Sequence, residues 1–363
     1  MSSRSGDIVF LLGAGASVEA KIPMSADMIN EIETLLGNDE DWKPFYELYN
    51  HVKSSIHYSA GLKGVFGWDV PFNIETLVNT LYELERNEEH PLYPFIAAWN
   101  SRFVGLAQPD FANVRKFRRK ILQELKKWMC PEDTSAGNYY EGFRALQNDL
   151  NYPLHVFSLN YDLCVESIGK KSSFRIESGF EDSGPAHYWD WERFEQQESG
   201  PPSVPDLYLY KLHGSMNWKR DSDANLFSVE QTENVASDKM EVIFGRDFKL
   251  EAADPYLFYA YQFRKFTLDA RLIVVIGYSF SDDHINKMLI QALRREEPKR
   301  LLVVSRCKTR GECKKKIGEV AKRLDVDESM ILADVGSSKS FLETKDLAER
   351  LNGYIPVSKD SPF

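Results

Sequence analysis

The chain predicts an α/β fold: a doubly wound, mostly parallel sheet with a helical insertion and no zinc ribbon. Three observations carry this. Short apolar runs alternate with amphipathic segments, each pair about one βα unit long, at residues 7–37 and again from Leu154 onward. Leu272-Ile273-Val274-Val275-Ile276 and Leu301-Leu302-Val303-Val304 are apolar without interruption, as strands buried on both faces must be. Turn residues or polar motifs stand directly after five of the runs, at Gly13, Asn160, His213, Gly277 and Ser305, where an open parallel sheet gathers its ligand-binding groups. The expected core is Rossmann-like.

The first strand, Asp7 to Leu12, leads into the turn Gly13-Ala14-Gly15-Ala16-Ser17, and a helix is expected from about Ser25 to Leu36. Residues 38–150 show no convincing period-two run. They carry helical patterns near Ile74 to Arg86, Leu92 to Phe103, Phe111 to Trp128 and Tyr139 to Leu150. This stretch is the expected helical insertion or cap, 38–150, set between core segments 1–37 and 151–363. Strands resume after Leu154 and again at Leu207-Tyr208-Leu209-Tyr210. Ser183 to Pro205, rich in Gly, Pro, Glu and aromatic residues, reads as an ordered loop, and polar Asp221 to Asp238 as a hairpin or mobile loop. The rest alternates: helix Pro255 to Leu268, strand Leu272 to Ile276, helix Asp283 to Arg295, strand Leu301 to Ser305, basic helix Thr309 to Leu324, strand Met330 to Asp334, and a helix ending near Leu351-Asn352-Gly353.

Composition narrows the function classes. A formal net charge of -10 argues against direct nucleic-acid binding, which needs clustered Lys and Arg. The basic stretches Arg115 to Lys127 and Arg306 to Lys316 are local exceptions. The first is interleaved with Phe117, Ile121, Leu122 and Leu125, the spacing of an amphipathic helix with a solvated face. No apolar run is long enough to cross a bilayer and the opening residues lack a signal-peptide core, so no membrane association and a cytoplasmic location are expected. Cys130, Cys164, Cys307 and Cys313 include no Cys-x-x-Cys pair; no metal site is expected, and scattered thiols fit a reducing compartment.

Each motif has a plain structural alternative. Gly13-Ala14-Gly15 lets backbone approach a pyrophosphate at a following helix N-terminus, or it is a tight strand-to-helix turn. The dehydrogenase pattern would put a further glycine at Val18 and an acidic ribose ligand roughly 20 residues on; neither is present. Asn160 and Asp162 could each cap a helix. A lone histidine such as His213 is commonly a packing or capping residue. Lying in order on one sheet edge, the motifs place a phosphate-tolerant turn, a carboxamide, a carboxylate and an imidazole together, a set better suited to cleaving a nicotinamide glycosidic bond than to hydride transfer.

The turn Gly13 to Ser17, the pair Asn160 and Asp162, His213-Gly214 and Gly277-Tyr278-Ser279 resemble the sirtuin signature, in particular its sirtuin-like bacterial defence branch. The likeness covers residues 7–37 and roughly 154–350. It implies that Gly13, Ala14, Gly15 and Ser17 hold the pyrophosphate of NAD, that Asn160 positions a water or ribose hydroxyl, that Asp162 grips the nicotinamide carboxamide and that His213 is the general base. Gly277 and Ser279 would line the adenosine half, and Ser305 falls where the family binds the adenine ribose. The chain departs from the pattern at Ser158-Leu159 and Tyr161, at Ile22-Pro23-Met24-Ser25 where a Phe-Arg pair is expected, and in lacking both zinc Cys-x-x-Cys pairs. Those losses touch the acyl-lysine channel; NAD cleavage needs only the retained half.

The resemblance therefore implies an NAD+ glycohydrolase with NAD as substrate and no zinc, releasing nicotinamide and ADP-ribose as an effector of anti-phage defence. A homo-oligomer, or control by a hexameric HerA-type DNA translocase, is the partner expectation that comes with it. Trp42, Phe45, Tyr46, Trp68, Tyr93, Phe95 and Trp99 could furnish an interface or simply the insertion's own core. The rivals are an NAD-dependent protein deacylase, a non-catalytic NAD- or ADP-ribose-binding regulatory subunit, and a nuclease built on Asp282-Asp283-His284. For that last cluster a helix cap is the simpler role.

Overall fold

The computed structural model describes residues 3–356 except 68–69, 71, 86–100, 109–110, 172, 182–185, 196–203, 231, 233–234 and 241–253. Among the described residues there are ten strands: β1 (Ile8–Leu12), β2 (Leu154–Ser158), β3 (Ile176–Glu177), β4 (His187–Tyr188), β5 (Leu207–Lys211), β6 (Trp218–Arg220), β7 (Leu226–Ser228), β8 (Leu272–Ile276), β9 (Arg300–Val304) and β10 (Ile331–Asp334). Seven form one sheet in the order β10-β9-β8-β1-β2-β5-β3, with parallel pairing between neighbours. The chain starts at the centre, builds outward through β2, then returns to the other side of β1 with β8. That reversal is the switch point at which doubly wound sheets open a ligand crevice. The alternation expected from the sequence is thus what forms.

Residues of β1, β2 and β8 are buried throughout, and their period of two splits them between opposite faces. Val9, Leu11, Ile273 and Val275 join one apolar cluster with the helices Tyr256–Asp269, Asp283–Leu293 and Arg310–Leu324. Ile8, Phe10, Leu12, Val274 and Ile276 join another with the helices Gly142–Leu150 and Leu347–Tyr354. A short antiparallel sheet, β4-β7-β6, stands apart from the main one. The turn of its β6–β7 hairpin and β7 itself lie in the polar stretch beginning at Asp221, and β4 lies inside the expected loop Ser183 to Pro205.

A third apolar cluster belongs to the helices Ser25–Asn38, Tyr46–Leu62, Ile74–Glu85, Ser101–Ala107 and Ala112–Met129. At its centre Phe117 stacks on Phe45 at 5.2 Å and meets the edges of Trp42 and Tyr49. Trp42 and Phe45 therefore serve this core, whereas Tyr46 is exposed. Trp68, Tyr93, Phe95 and Trp99 lie outside the described residues, as does most of the expected helix Leu92 to Phe103. The Ala112–Met129 helix turns Val114, Phe117, Ile121 and Leu125 inward and leaves its basic residues on the other face, as its spacing requires. The Ser25–Asn38 helix buries Met28, Ile29, Ile32 and Leu36 in this cluster rather than on the sheet.

Several elements differ from the sequence reading. Tyr46–Leu62 is a 17-residue helix that the sequence did not suggest, because polar Lys53-Ser54-Ser55 and scattered tyrosines blur its stripe of Leu48, Tyr49, Val52 and Ala60. The turn after β1 runs into two 3-10 turns, Ala14–Ala16 and Val18–Ala20, ahead of the α-helix, which begins at Ser25 as the sequence suggests. No long helix dipole therefore starts at the glycine turn. Tyr139 and Tyr140 likewise lie in a 3-10 segment, Ser135–Glu141, ahead of the Gly142–Leu150 helix.

Candidate active site

The sheet register brings the motif-bearing strand ends level. Leu12 pairs with Ser158 and with Ile276, Ser158 with Lys211, and Ile276 with Val304. The ladder extends one step further: Leu159 N–H donates to Leu12 O, Leu212 N–H to Ser158 O, Gly13 N–H to Ile276 O and Gly277 N–H to Val304 O, each at 2.9 Å. Gly13, Asn160, His213, Gly277 and Ser305 thereby form a row along one edge.

The glycines have a packing duty of their own. Gly277 sits at φ +66°, and a Cβ there would lie 2.0 Å from Ala16 N. A Cβ on Gly13 would come within 2.6 Å of Tyr278 Cα, and one on Gly15 within 2.8 Å of Gly277 O. The turns after β1 and β8 interlock so closely that side chains are excluded at all three positions. The amides of Gly13, Gly15, Ala16 and Ser17 all bond to backbone carbonyls, while Ala14 stands exposed at the crest of the turn.

Asn160 and Asp162 are pinned to that turn through Ser17. Asn160 Nδ2 donates to Gly13 O at 3.0 Å and to Ser17 Oγ at 3.1 Å. Ser17 Oγ donates to Asp162 Oδ2 at 2.7 Å, and because a hydroxyl carries one proton, the Tyr140 hydroxyl 2.9 Å away must donate to Ser17. Burial first, and then the charge of Asp162, push the Tyr140 phenol up, which keeps that proton in place. Asp162 Oδ1 accepts from Cys164 N–H at 3.0 Å, so the capping role open to Asp162 is real and leaves each oxygen a further lone pair. The Lys211 ammonium, 2% exposed, donates to the Asp162 carbonyl and lies 3.1 Å from Glu166 Oε1. Nothing in the sequence had singled out Lys211.

On the neighbouring strand end, His213 Nε2 lies 3.2 Å from Asp282 Oδ2. The other oxygen of Asp282 accepts from His284 N–H at 2.8 Å and Ile285 N–H at 3.1 Å, capping the Asp283–Leu293 helix. Burial pushes the Asp282 carboxyl up, but the hydrogen bond and charge of His213 with the two amides outweigh it and hold the group below its ordinary value. The cap anticipated at Asp282 is therefore present, together with a contact to His213 that the sequence had not indicated. The available signal was position: a carboxylate five residues past Gly277, on the same edge as His213.

These groups share one cavity of about 880 Å³, lined by Gly13, Ala14, Gly15, Asn160, Asp162, His213, Gly277, Ser279 and Ser305, within the range of roughly 300–1,000 Å³ common for ligand sites. Ser17 is fully buried and stands one layer behind the wall, where it orients Asn160 and Asp162. Ser279 pairs with Ser281 at 2.8 Å. The opposite wall comes from the helical region: Asn73, Ile74, Glu75 and Thr76 at the start of one helix, Leu125 and Met129 near the end of another. Tyr161 bridges the two walls, its hydroxyl donating to Glu75 Oε1 at 3.1 Å while its ring centre sits 6.4 Å from that of His213. Among the described residues no group of three or more His, Cys, Asp or Glu is arranged to hold a metal ion, and no helix is long and apolar enough to cross a membrane.

Residues 154–323 match the family described as SIR2-like domain. None of the curated proteins matches the chain. Among solved structures, a Sir2 homologue in complex with NAD is similar at a TM-score of 0.42 and 12% identity, over 96% of this chain and 90% of that one. A mutant Sir2 homologue bound to 2′-O-acetyl ADP ribose gives 0.44 and 14%, over 98% and 94%. A third, a mutant Sir2 homologue with ADP ribose, gives 0.43 and 13%, over 95% and 92%.

Proposed function

We propose that this protein is an NAD+ glycohydrolase that converts NAD+ and water to nicotinamide, ADP-ribose and a proton. One observation carries the proposal: Asn160, Asp162 and His213 line the same cavity as the glycine turn. That set matches what the reaction asks for. The bond from the anomeric carbon to the pyridinium nitrogen breaks through an oxocarbenium-like transition state, and the electron pair stays with nicotinamide, which leaves neutral. Asp162, oriented through both oxygens, keeps acceptor capacity for the amide N–H of the leaving group. Asn160, with its amide nitrogen committed to Gly13 and Ser17, offers its amide oxygen to the incoming water. His213 takes the proton as the new carbon–oxygen bond forms, a contribution of roughly 10²–10⁴-fold. Ala14 and the interlocked glycines give the pyrophosphate a surface with no side chain larger than a methyl, and Gly277, Ser279 and Ser305 receive the adenosine half.

Depletion of NAD+ as an anti-phage effector belongs to the same proposal, through the sirtuin-like resemblance. Because unrestrained hydrolysis would be lethal, control by self-assembly or by a HerA-type translocase goes with it. The test is turnover of NAD+ by the purified chain, with and without its genomic neighbour, quantifying nicotinamide and ADP-ribose separately. His213→Ala and Asn160→Ala should each abolish turnover in folded protein; consumption unchanged in both refutes the assignment. Formation of O-acetyl-ADP-ribose from an acetylated peptide would favour deacylation, and tight ADP-ribose binding without nicotinamide release a regulatory binding subunit.

A further inference from the structure

We infer that Asp282 is a positioning residue for His213: it fixes the imidazole as the tautomer protonated on Nε2 and so leaves Nδ1 as the nitrogen that accepts a proton. The inference deepens the proposed hydrolysis and rests on His213 acting there as the base.

The geometry leaves Asp282 little freedom. Its Oδ1 is spent on two backbone amides at the start of the Asp283–Leu293 helix, which fixes the carboxylate plane and directs Oδ2 to His213 Nε2 at 3.2 Å. An ionised carboxylate only accepts hydrogen bonds, so the ring nitrogen facing it must carry the proton. A neutral imidazole then has its lone pair on the other nitrogen. The backbone of Asp282 is held as well. Its carbonyl accepts from the Tyr278 hydroxyl at 3.1 Å, and Asn286 Nδ2 ties Phe280 O into the same bend at 2.8 Å. The other titratable groups lining the cavity are Glu75, Tyr161, Asp162, Tyr278, Asp283, His284, Lys287 and Arg306, and the Tyr161 hydroxyl is turned to Glu75. Among the described residues, Asp282 is the group in hydrogen-bond contact with the imidazole. As the water attacks, the proton arriving on Nδ1 makes an imidazolium whose Nε2 proton already faces a carboxylate, so charge develops where it is stabilised.

The test separates the cap from the contact to histidine. Asp282→Asn and Asp282→Ser both preserve helix capping, since Asn, Asp and Ser serve comparably there. Asn, however, can present an N–H to Nε2 and so select the opposite tautomer, whereas Ser is too short to reach it. The full-length chain labelled with ¹⁵N-histidine, with the signal of residue 213 assigned through His213→Gln, reports the tautomer by NMR above the imidazole titration range. We expect the Nε2–H form in the wild type and the Nδ1–H form in Asp282→Asn. In turnover, kcat should fall on the order of 10²–10⁴-fold, the usual worth of general-base help, with the KM for NAD+ little changed and the acid limb of the pH profile displaced. An Nδ1–H tautomer in the wild type, or an unaltered tautomer and pH profile in Asp282→Asn, overturns the inference. A chain that releases no nicotinamide yet switches tautomer on Asp282→Asn would sink the hydrolase proposal and leave the role of Asp282 standing.

Discussion

The sheet edge and the helical unit border the same cavity but hold their side chains in different ways. On the sheet edge Asn160, Asp162 and Asp282 are each fixed more than once. Asn160 donates to two acceptors, Asp162 accepts at both oxygens, and Asp282 accepts from two amides and meets His213. The helical wall presents Leu125 and Met129 together with Glu75, which reaches the edge through the Tyr161 hydroxyl. Redundant hydrogen bonds to rigid strands preorganise chemistry. A wall joined mainly by apolar packing can vary in shape without disturbing it.

The largest effect should come from breaking the interlock beneath the edge. Gly277→Ala must place a methyl 2.0 Å from Ala16 N at φ +66°, combining left-handed strain of about 1–2 kcal/mol with overpacking of about 1–3 kcal/mol. Gly6→Ala provides the contrast: its φ is +87° but a Cβ there meets nothing within 4 Å, so strain alone acts. Chemical denaturation of both variants should show Gly277→Ala losing the larger amount and its site with it. Equal losses would mean that the turns after β1 and β8 are not packed as described.

Acid should next reveal the sheet's interior. His155 on β2 is sandwiched against Phe266 at 3.8 Å and Tyr208 at 4.9 Å. Burial, with the nearby Lys265 adding to it, pushes its imidazole down to about 3. The folded protein thus keeps His155 neutral where the unfolded chain, titrating near 6.5, binds a proton. Its contribution to stability is complete above about pH 6.5 and drains away as pH falls toward 3, a loss of a few kcal/mol by linkage. His155→Phe should cost about 1 kcal/mol at neutral pH, for the hydrogen bond to Tyr210, and flatten the dependence of melting temperature on pH across that window. A slope identical to the wild type would show that His155 does not stay neutral.

Ser17→Ala sharpens the comparison from the edge side. It removes the donor to Asp162 and the acceptor of Tyr140, leaving buried groups unpaired at roughly 1–3 kcal/mol. Turnover should fall because Asp162 loses its orientation, although residue 17 itself need not touch the dinucleotide. Full activity in the folded variant would count against the pinned-carboxylate account of Asp162.

How much of this was legible in the sequence follows the same division. The strands of the main core declared themselves because burial on both faces forces continuous apolar runs, and Gly13, Asn160, His213, Gly277 and Ser305 were placed by chain order at strand ends that the register then aligned. Asp282 was half legible: a residue before a helix announces a cap, but the partner of its second oxygen, His213, follows β5, which lies beyond β1 and β2 from β8, so only the assembled sheet brings the two together. Lys211 merely follows the alternating run Leu207–Tyr210, and its ammonium finds Asp162 and Glu166 only once β5 is seated beside β2. The helical wall was the least readable part. Amphipathic spacing marked the Ile74–Glu85 helix, yet nothing local says that its first turn faces the sheet edge rather than solvent.

That first turn supports the smallest and most discriminating expectation. Burial and the charge of Glu75 push the Tyr161 phenol well above its ordinary value, so it remains a donor to Glu75 throughout the working pH range. Tyr161→Phe deletes the hydroxyl but keeps the ring against the helical core, and should cost about 1.5–3 kcal/mol, the worth of a hydrogen bond to a charged group. Glu75→Gln keeps an acceptor and should cost less. Neither should move kcat as His213→Ala does, because neither supplies a group to the reacting atoms. If Tyr161→Phe abolished turnover while the protein stayed folded, the bridge would belong to the chemistry, and the separation between a fixed sheet edge and an adaptable helical wall would fail at the hydrogen bond from Tyr161 to Glu75.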